Sequence, residues 1–589
     1  MSRLTELKAA SSLSDLALVL NFKPAALAYL VYKLAPTAKY TTFSIPKSGG
    51  GTRTIDAPIP QLKRLQQNLA QLLQDCWDEI QLKAGRKDAI AHGFRRGRSI
   101  ISNARKHRNR NFVLNVDLKD FFPSLHFGRV RGYFHKDQSF ALDLKIATLI
   151  AQIACHNKAL PQGSPCSPVI SNLIGHILDI QLAALATKHS CTYSRYADDL
   201  TFSTNEGVFP KSIAEVSSSH VAKAGKGLRK IVTHNDFEIN PLKTRLQYHD
   251  SQQVVTGLIV NRRVNVPWEY RHRVRAMAHA LFRKGAYVIR DSAGTITPGT
   301  VEQLHGMFAF IDSIDLHQAY IRFANSDKRG SLGKPVEEIS VKEFGTLTSQ
   351  SIGPISPRER LLRRFLIFKE FYAAANPVVV CEGETDNVYL LHAIHSLGAK
   401  FPQLLGPPAG GKSRLKVRLF KYVKTRSGRV LGLGAGGGTV LKSLIESFMN
   451  ESERFLAPSS KFPCILLLDN DSGAAAVEGI LKKHSLTLPP SGFVHVAQNL
   501  YVMRTPPLPG KPRTEIEDFF TKQTLSTKVG GKSFHGSKGF DPKKHYAKVV
   551  FAHKVVRPKA SSINFSKFAA ILKTFVDIIN HCAAKKSLP

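Results

Sequence analysis

The sequence predicts a multidomain protein of mixed α/β and α+β class. Three observations predict it. The chain has 589 residues and a mass of 65.1 kDa, enough for several folding units at roughly 150 residues each. Apolar residues (43%) and charged residues (22%) stand in an ordinary globular ratio, which excludes collagen-like, wholly disordered and disulfide-scaffold classes. Short β-branched runs alternate with stretches of helical period in both halves. The seven cysteines are scattered without CxxC spacing, which fits a reducing compartment and argues against a zinc ribbon. No apolar run reaches the roughly 18 residues of a bilayer span, and the first residues lack an export segment. A soluble intracellular protein is expected.

In order along the chain, residues 1–35 read as helices that lead into the β-rich stretch YTTFSIPKSGGGTRTIDAPI, broken by Gly and Pro at 46–51. Helical period follows in QLKRLQQNLAQLLQDCWDEI. The strands NFVLNVDL, CTYSRYADDLTFS and QQVVTGLIVN then alternate with the helices LDLKIATLIAQIA and SPVISNLIGHILDIQLAALATK. EYRHRVRAMAHALFRKG and TVEQLHGMFAFIDSIDLHQAY are helical again. The polar stretch 326–356 reads as a linker, and a connecting helix follows it. A second α/β pattern runs from NPVVVCEGETDNVYLL through RVLGLGAGGGTVLKSLIESF to KFPCILLLDNDSG. From about Pro506 the chain reads as irregular and basic.

Charge narrows the class of partner. Lys and Arg number 83 against 44 Asp and Glu, a formal +39. Residues 1–330 hold 45 basic and 25 acidic side chains, so both halves share the excess. A polyanion touching both halves is the simplest reading, because each neutralised phosphate releases counterions.

Tyr196-Ala197-Asp198-Asp199 lies between two strand-like runs and reads as a hairpin with paired carboxylates at its tip. Adjacent acids are costly unless cations or solvent neutralise them. Asp117 ends another strand. Three carboxylates on neighbouring strand ends can hold two Mg²⁺ about 3.5–4 Å apart for phosphoryl transfer. Lys47 and Arg53 flank a Gly-rich turn and could grip a triphosphate. Gln162 and Gly163 open a helix where backbone amides can approach a base pair. Lys243 follows a strand as a proton donor to departing pyrophosphate.

Taken together, FSIPKSGGGTRTIDAP, HGFRRGRSI, LNVDLKDFFPS, LPQGSPCSPVISNL, YADD, FEINPLKT and VTGL resemble the ordered motifs of bacterial retron reverse transcriptases over about residues 1–325. Asn103, His107 and the residues between them match that family's NAxxH, and Val255, Thr256 and Gly257 its VTG; the resemblance marks Asn103, Arg105, Lys106, His107, Val255, Thr256 and Gly257 as expected RNA contacts. The resemblance implies a right-hand polymerase of fingers, palm and thumb. It implies metal on Asp117, Asp198 and Asp199, and Phe122 as the gate that excludes a ribose 2′-OH. It also implies priming from a guanosine 2′-OH in a cognate non-coding RNA (msr-msd), dNTPs as substrates, and a branched RNA–DNA product (msDNA). Residues 95–110 carry seven Arg and Lys and no acid, which suits RNA phosphates; Arg105 and Lys106 are the basic members within NAxxH. Arg271, Arg275 and Arg283 form a basic face suited to a heteroduplex.

Three motifs compete in the second half. Gly406 to Ser413 satisfies GxxxxGK[ST] around Lys412, but two prolines remove amides that would cradle phosphate. Gly432, Gly434 and Gly437 match GxGxxG, yet the acid expected on a following strand is missing. Finally, Glu382-Gly383-Glu384-Thr385-Asp386 ends one strand and Asp469-Asn470-Asp471 another. Acids on such strand ends build a Mg²⁺ site at the carboxyl edge of a parallel sheet. This third pattern resembles the Rossmann-like Toprim module. The resemblance implies Glu382 as general acid/base or ligand, with Asp386, Asp469 and Asp471 holding metal; Glu515, Glu517 and Asp518 are further candidates.

The expected layout is a reverse transcriptase at 1–325, a linker and helix at 326–375, a Toprim domain at 376–525 and a basic extension at 526–589. Expected cofactors are Mg²⁺, with Mn²⁺ able to substitute: two ions in the polymerase site and one or two in the Toprim site. The expected setting is the bacterial cytoplasm without membrane contact, with a homo-oligomer around msDNA among the possible assemblies. By analogy the Toprim half is an antiphage nuclease. The alternatives are an ATP-binding effector using Lys412 and a scaffold that only docks msDNA.

Overall fold

The computed structural model describes residues 2–46, 51–85, 90–216, 222–290, 294–324, 357–409, 412–421, 426–433, 438–536 and 540–587. The expected linker at 326–356, Lys47, Gly410, Gly411, Gly434 and Gly437 lie outside them. The chain divides into two compact units, Met1–Tyr270 and Arg271–Pro589.

In the first unit, helices Arg3–Ala9 and Leu13–Val19 start on serine caps, Ser2 and a Ser12–Asp15 capping box, which satisfy amides that a helix start leaves unpaired. Helix Pro60–Lys83 buries Leu62, Leu65, Leu69, Leu72, Leu73 and Cys76, the spacing of one apolar helical face. Helix Ser167–Lys188 is the one described helix long and apolar enough to cross a membrane; 61% of its apolar window is buried inside the protein. The strands are β1 (Tyr40–Pro46), β2 (Thr52–Pro58), β3 (Phe112–Lys119), β4 (Thr192–Tyr196), β5 (Asp199–Thr204), β6 (Ala214–Val216), β7 (Ala222–Ala224), β8 (Glu238–Tyr248), β9 (Val254–Val255) and β10 (Leu258–Ile259). An antiparallel four-stranded sheet has the order β4-β5-β3-β8. QQVVTGLIVN, expected as a single strand, is instead the β9–β10 hairpin. Thr256 (φ 47°) and Gly257 (φ 79°) both take left-handed backbone at its turn, the geometry of the tightest hairpins.

The second unit opens within helix Trp268–Lys284. Its strands are β11 (Val288–Arg290), β12 (Ile296–Pro298), β13 (Val378–Cys381), β14 (Leu405–Ala409), β15 (Lys412–Leu415), β16 (Arg418–Leu419), β17 (Cys464–Leu468), β18 (Phe493–Ala497) and β19 (Leu500–Arg504). The main sheet runs β16-β13-β17-β19-β18, parallel except for the edge strand β18. Every residue of β13 and β17 is buried. That explains their unbroken apolar runs, since parallel strands are covered on both faces. Phe551, Phe565, Phe568, Ile571, Phe575 and Cys582 share one apolar core with this sheet, so the basic tail of the chain is packed into the unit.

Before Gly432, where the dinucleotide pattern calls for a strand, the chain forms the short helix Arg426–Leu431. The dinucleotide pattern at Gly432 therefore lacks the strand that would aim it.

Candidate functional site

In the first unit, strand register brings the acids together. Asp117 on β3 pairs directly with Asp199, the first residue of β5. Between β4 and β5 the loop is only Ala197 and Asp198, with Ala197 at φ 57°. The Leu118 amide donates to the Asp198 carbonyl at 3.0 Å, tying the tip to β3. Asp117 is buried. Its Oδ1 accepts from Lys243 Nζ at 2.8 Å and its Oδ2 from Asn240 Nδ2 at 3.2 Å. Burial raises the Asp198 carboxyl, and Asp117 raises it further against Lys243 and Arg53. Asp199 keeps an open edge to solvent, yet burial of its carboxyl, then Asp198 and Asp117, push it up to about 6. The raised carboxyls reflect burial first and crowding of like charge second. An all-oxygen donor set of this kind fits Mg²⁺. Among the described residues, no three acidic, His or Cys side chains already stand close enough to close around an ion; Asp117 is turned toward its lysine.

Lys243 was expected after a strand. It lies within β8, where the register jumps: Asn115 pairs with Arg245 but Asp117 with Asn240. The extra residues bulge out, exposing Leu242, and swing the lysine back onto Asp117. Bulges beside functional sites often re-aim a side chain this way. Its pairing with Asp117 raises the Lys243 ammonium.

Arg53 is exposed on β2 and acts electrostatically on Asp198. The Gln162 carbonyl accepts from the Asp56 amide at 2.8 Å. Gly163 sits at φ 126°, and a Cβ there would lie 2.5 Å from the Asp56 carbonyl oxygen, so glycine is what lets this turn dock on β2. Phe122 is half-buried, its ring 5.6 Å from Phe121 and 6.4 Å from Phe94.

The residues expected to touch RNA divide. Asn103 and His107 are fully buried: His107 bonds Ser203 at 2.8 Å and Ser194 at 2.7 Å, and Ser194 donates to Asn103 at 2.6 Å. They brace β4 and β5 from inside and present no side chain to a ligand. Val255 is likewise buried, and Thr256 donates to the Ile100 carbonyl at 3.2 Å, so the VTG turn packs on the NAxxH helix Ile100–Lys106. Gly257 and Arg105 are exposed and Lys106 is half-buried. Of the basic run, Arg96 is bound to Asp75 and Asp78 at 2.7 and 3.0 Å, and Arg95 lies over Trp77; Arg105 and Arg108 face solvent.

Burial pushes His107 down to about 3, with Lys106 adding to the effect. A neutral buried histidine stabilises the fold fully above the unfolded value near 6.5 and loses that contribution as pH falls toward 3. The slope is about 1.4 kcal/mol per pH unit, roughly 2 kcal/mol between pH 6.5 and 5. Urea unfolding of the full chain will show this acid sensitivity in the wild type and a flatter profile in His107→Gln.

Sequence reasoning missed the pair that holds the tip. Arg195 and Asp179 are both completely buried and bonded at 2.7 and 2.8 Å. Arg195 also donates to the Asn172 side chain and to the Ala197 carbonyl, each at 3.1 Å. The only signal was an arginine one residue before Tyr-Ala-Asp-Asp.

In the second unit, β13 and β17 are parallel neighbours and end together on Glu382 and Asp469. The Asp469 amide donates to Glu382 Oε2 at 3.2 Å. Asp386 is buried and accepts from the Gly383 amide at 2.8 Å. Burial, then Glu517, push Asp386 up to about 7; burial, then Asp386 and Glu517, push Asp469 up to about 9. Glu382 is raised by burial and by Asp471, which is itself exposed and accepts from the Gly473 amide. Lys548 reaches into this group, bonding Glu517 at 2.9 Å and Glu515 at 3.2 Å, whereas Asp518 is bound to Lys511. Lys548 could not be read from sequence, being one lysine among many in a basic stretch. The carboxylate oxygens again suit a hard divalent cation. In the candidate ATP loop, residues 406–409 and 412–413 lie on the antiparallel strands β14 and β15. Among the described residues no helix follows at once, so a P-loop's phosphate cradle lacks its usual scaffold there.

The family described as reverse transcriptase (RNA-dependent DNA polymerase) matches residues 45–270, which gives the first unit the reverse-transcriptase polymerase fold. The retron Mx162 and Mx65 reverse transcriptases of Myxococcus xanthus are each 35% identical over 297 and 258 residues, 47% and 41% of this chain. The chain spans 58% and 55% of those two proteins. Among solved structures, Candida albicans telomerase in complex with a TWJ fragment of telomeric RNA aligns with 56% of this chain and 64% of its own at 11% identity and a TM-score of 0.29, too remote to carry an argument. The retron Ec86 reverse transcriptase of Escherichia coli is 32% identical over 280 residues, 47% of this chain and 77% of that protein. With the paired aspartates in register and a relative matched over most of its length, the chain belongs to the retron reverse transcriptase family.

Proposed function

We propose that the chain is an RNA-directed DNA polymerase that copies a cognate structured non-coding RNA into msDNA, primed from a guanosine 2′-OH. The register of Asp117 against Asp199, with Asp198 at the adjoining tip, carries this reading. Asp117, Asp198 and Asp199 would hold two Mg²⁺, or Mn²⁺, which when bound neutralise the triphosphate and activate the attacking hydroxyl. Arg53 meets the triphosphate, with Lys47 as its expected partner. Gln162 and Gly163 keep the β1–β2 hairpin seated beside the nucleotide. Phe122 closes the sugar side against a 2′-OH. Lys243 carries a proton toward the departing pyrophosphate, and Arg105 and Lys106 contribute to the RNA-facing charge. The purified protein, given its cognate RNA, dNTPs and Mg²⁺, should yield DNA joined to RNA through a 2′ linkage. RNA recovered unextended would refute the reading.

The second unit we read as a Toprim-type nuclease effector in antiphage defence, within a domain at 376–525. Its support is the adjacency of Glu382 and Asp469 on parallel strand ends with Asp386 behind them. Glu382→Gln and Asp469→Asn are expected to abolish defence while leaving msDNA intact, and Lys412→Ala to leave both intact. Loss in Lys412→Ala would favour the ATP-driven alternative, and defence persisting in the acid variants would favour the docking scaffold. Plaque counts and extracted msDNA distinguish these results.

A further inference from the structure

Phe94 stands in an unusual position. It is 44% exposed and sits at φ 56°, a left-handed conformation that bulky residues rarely adopt. Its neighbours enforce that conformation. A Cβ on Gly93 would lie 2.6 Å from the Ala197 amide nitrogen, so the segment is pressed against the Tyr-Ala-Asp-Asp turn. The Gly93 carbonyl accepts from Asn172 Nδ2 at 2.7 Å, and the His92 amide donates to the Arg195 carbonyl at 2.8 Å. Phe94 is thus a solvent-facing ring on backbone bolted to the carboxylate turn.

That ring points along an aromatic row. Phe237 stacks on Phe121 at 5.6 Å, Phe121 meets Phe122 edge-on at 5.6 Å, and Phe122 meets Phe94 at 6.4 Å and 52°. Phe121 is buried, with Arg195 above its face at 5.9 Å. Phe122 thus stands in the row between a buried ring and Phe94. We propose that Phe94 is a specificity-determining residue: it backs Phe122, restricts its rotamers and so sets how strictly a ribose 2′-OH is excluded. This rests on the reading of Phe122 as the sugar gate.

The test compares incorporation of dGTP and GTP opposite the same template base by the full chain on its cognate RNA. Phe94→Asn and Phe94→Gly remove the ring while tolerating left-handed backbone; Phe94→Tyr keeps a ring; Phe122→Val opens the gate itself. Discrimination, as the ratio of kcat/KM values, should fall about tenfold in Phe94→Asn and Phe94→Gly, the size of a single lost packing contact of roughly 1.4 kcal/mol, and hold in Phe94→Tyr. A proportional loss with both nucleotides would make Phe94 merely structural and overturn the proposal. So would unchanged discrimination alongside a relaxed Phe122→Val. If Phe122→Val itself discriminates normally, the gate reading fails and the proposal with it.

Discussion

Asp198→Asn combined with Asp199→Asn will abolish RNA-templated DNA synthesis without unfolding the protein. The side chains keep their shape and lose the charge that would hold cations at the end of β5. The loss should reach at least about 10⁴-fold, equivalent to roughly 5 kcal/mol of barrier. Folding should not suffer, because burial and their mutual repulsion with Asp117 already raise both carboxyls; neutral amides relieve that crowding. Labelled-dNTP incorporation on the cognate RNA measures the first effect and a thermal melt the second. Asp120→Asn, an exposed acid in the turn after β3, is the control and should remain active. Product above a few per cent in the double variant would mean that these acids are not the cation holders.

Arg195→Met is the second large effect, and it acts on both fold and chemistry. The guanidinium has no exposed surface and meets Asp179, Asn172 and the Ala197 carbonyl together. Removing it leaves Asp179 buried with, among the described residues, the Tyr193 hydroxyl at 2.9 Å as its side-chain partner. Breaking one side of a buried ion pair costs about 3–5 kcal/mol, on the order of 10 °C in the melting of the first unit. Arg195→Met with Asp179→Leu removes both charges and should recover much of that stability. DNA synthesis should stay lost in the double variant, because nothing then grips the Ala197 carbonyl at its left-handed turn. Recovery of synthesis together with stability would reduce the pair to a packing role.

How far these features could be read from sequence depends on whether local pattern or long-range contact decides them. The Tyr-Ala-Asp-Asp hairpin was legible because strand-like runs flank an acidic pair, whereas its register against Asp117 is set by pairing with a distant strand. β13 and β17 were legible as unbroken apolar runs. Lys243 was identified by motif but misplaced, since a bulge depends on the partner strand. Asn103 and His107 read as RNA contacts from their match to the NAxxH motif, although burial against Ser194 and Ser203 decides their place. Arg195, Phe94 and Lys548 gave little or no local sign. Each matters through a partner distant along the chain: Asp179 and the tip, Phe122, and Glu517.

The pairing of Lys548 with Glu515 and Glu517, and the seating of the last helices in the core of the second unit, have a consequence for synthesis in the cell. A chain leaves the ribosome from its N-terminus and its domains tend to fold as they emerge. Every strand of the Asp117–Asp199 sheet lies before residue 250, whereas the Glu382–Asp469 cluster awaits Lys548 and the aromatic residues out to Phe575. On the functions proposed above, the acids of the first unit can be in place while the residues that complete the second cluster are still untranslated, so the order of translation would delay the second site.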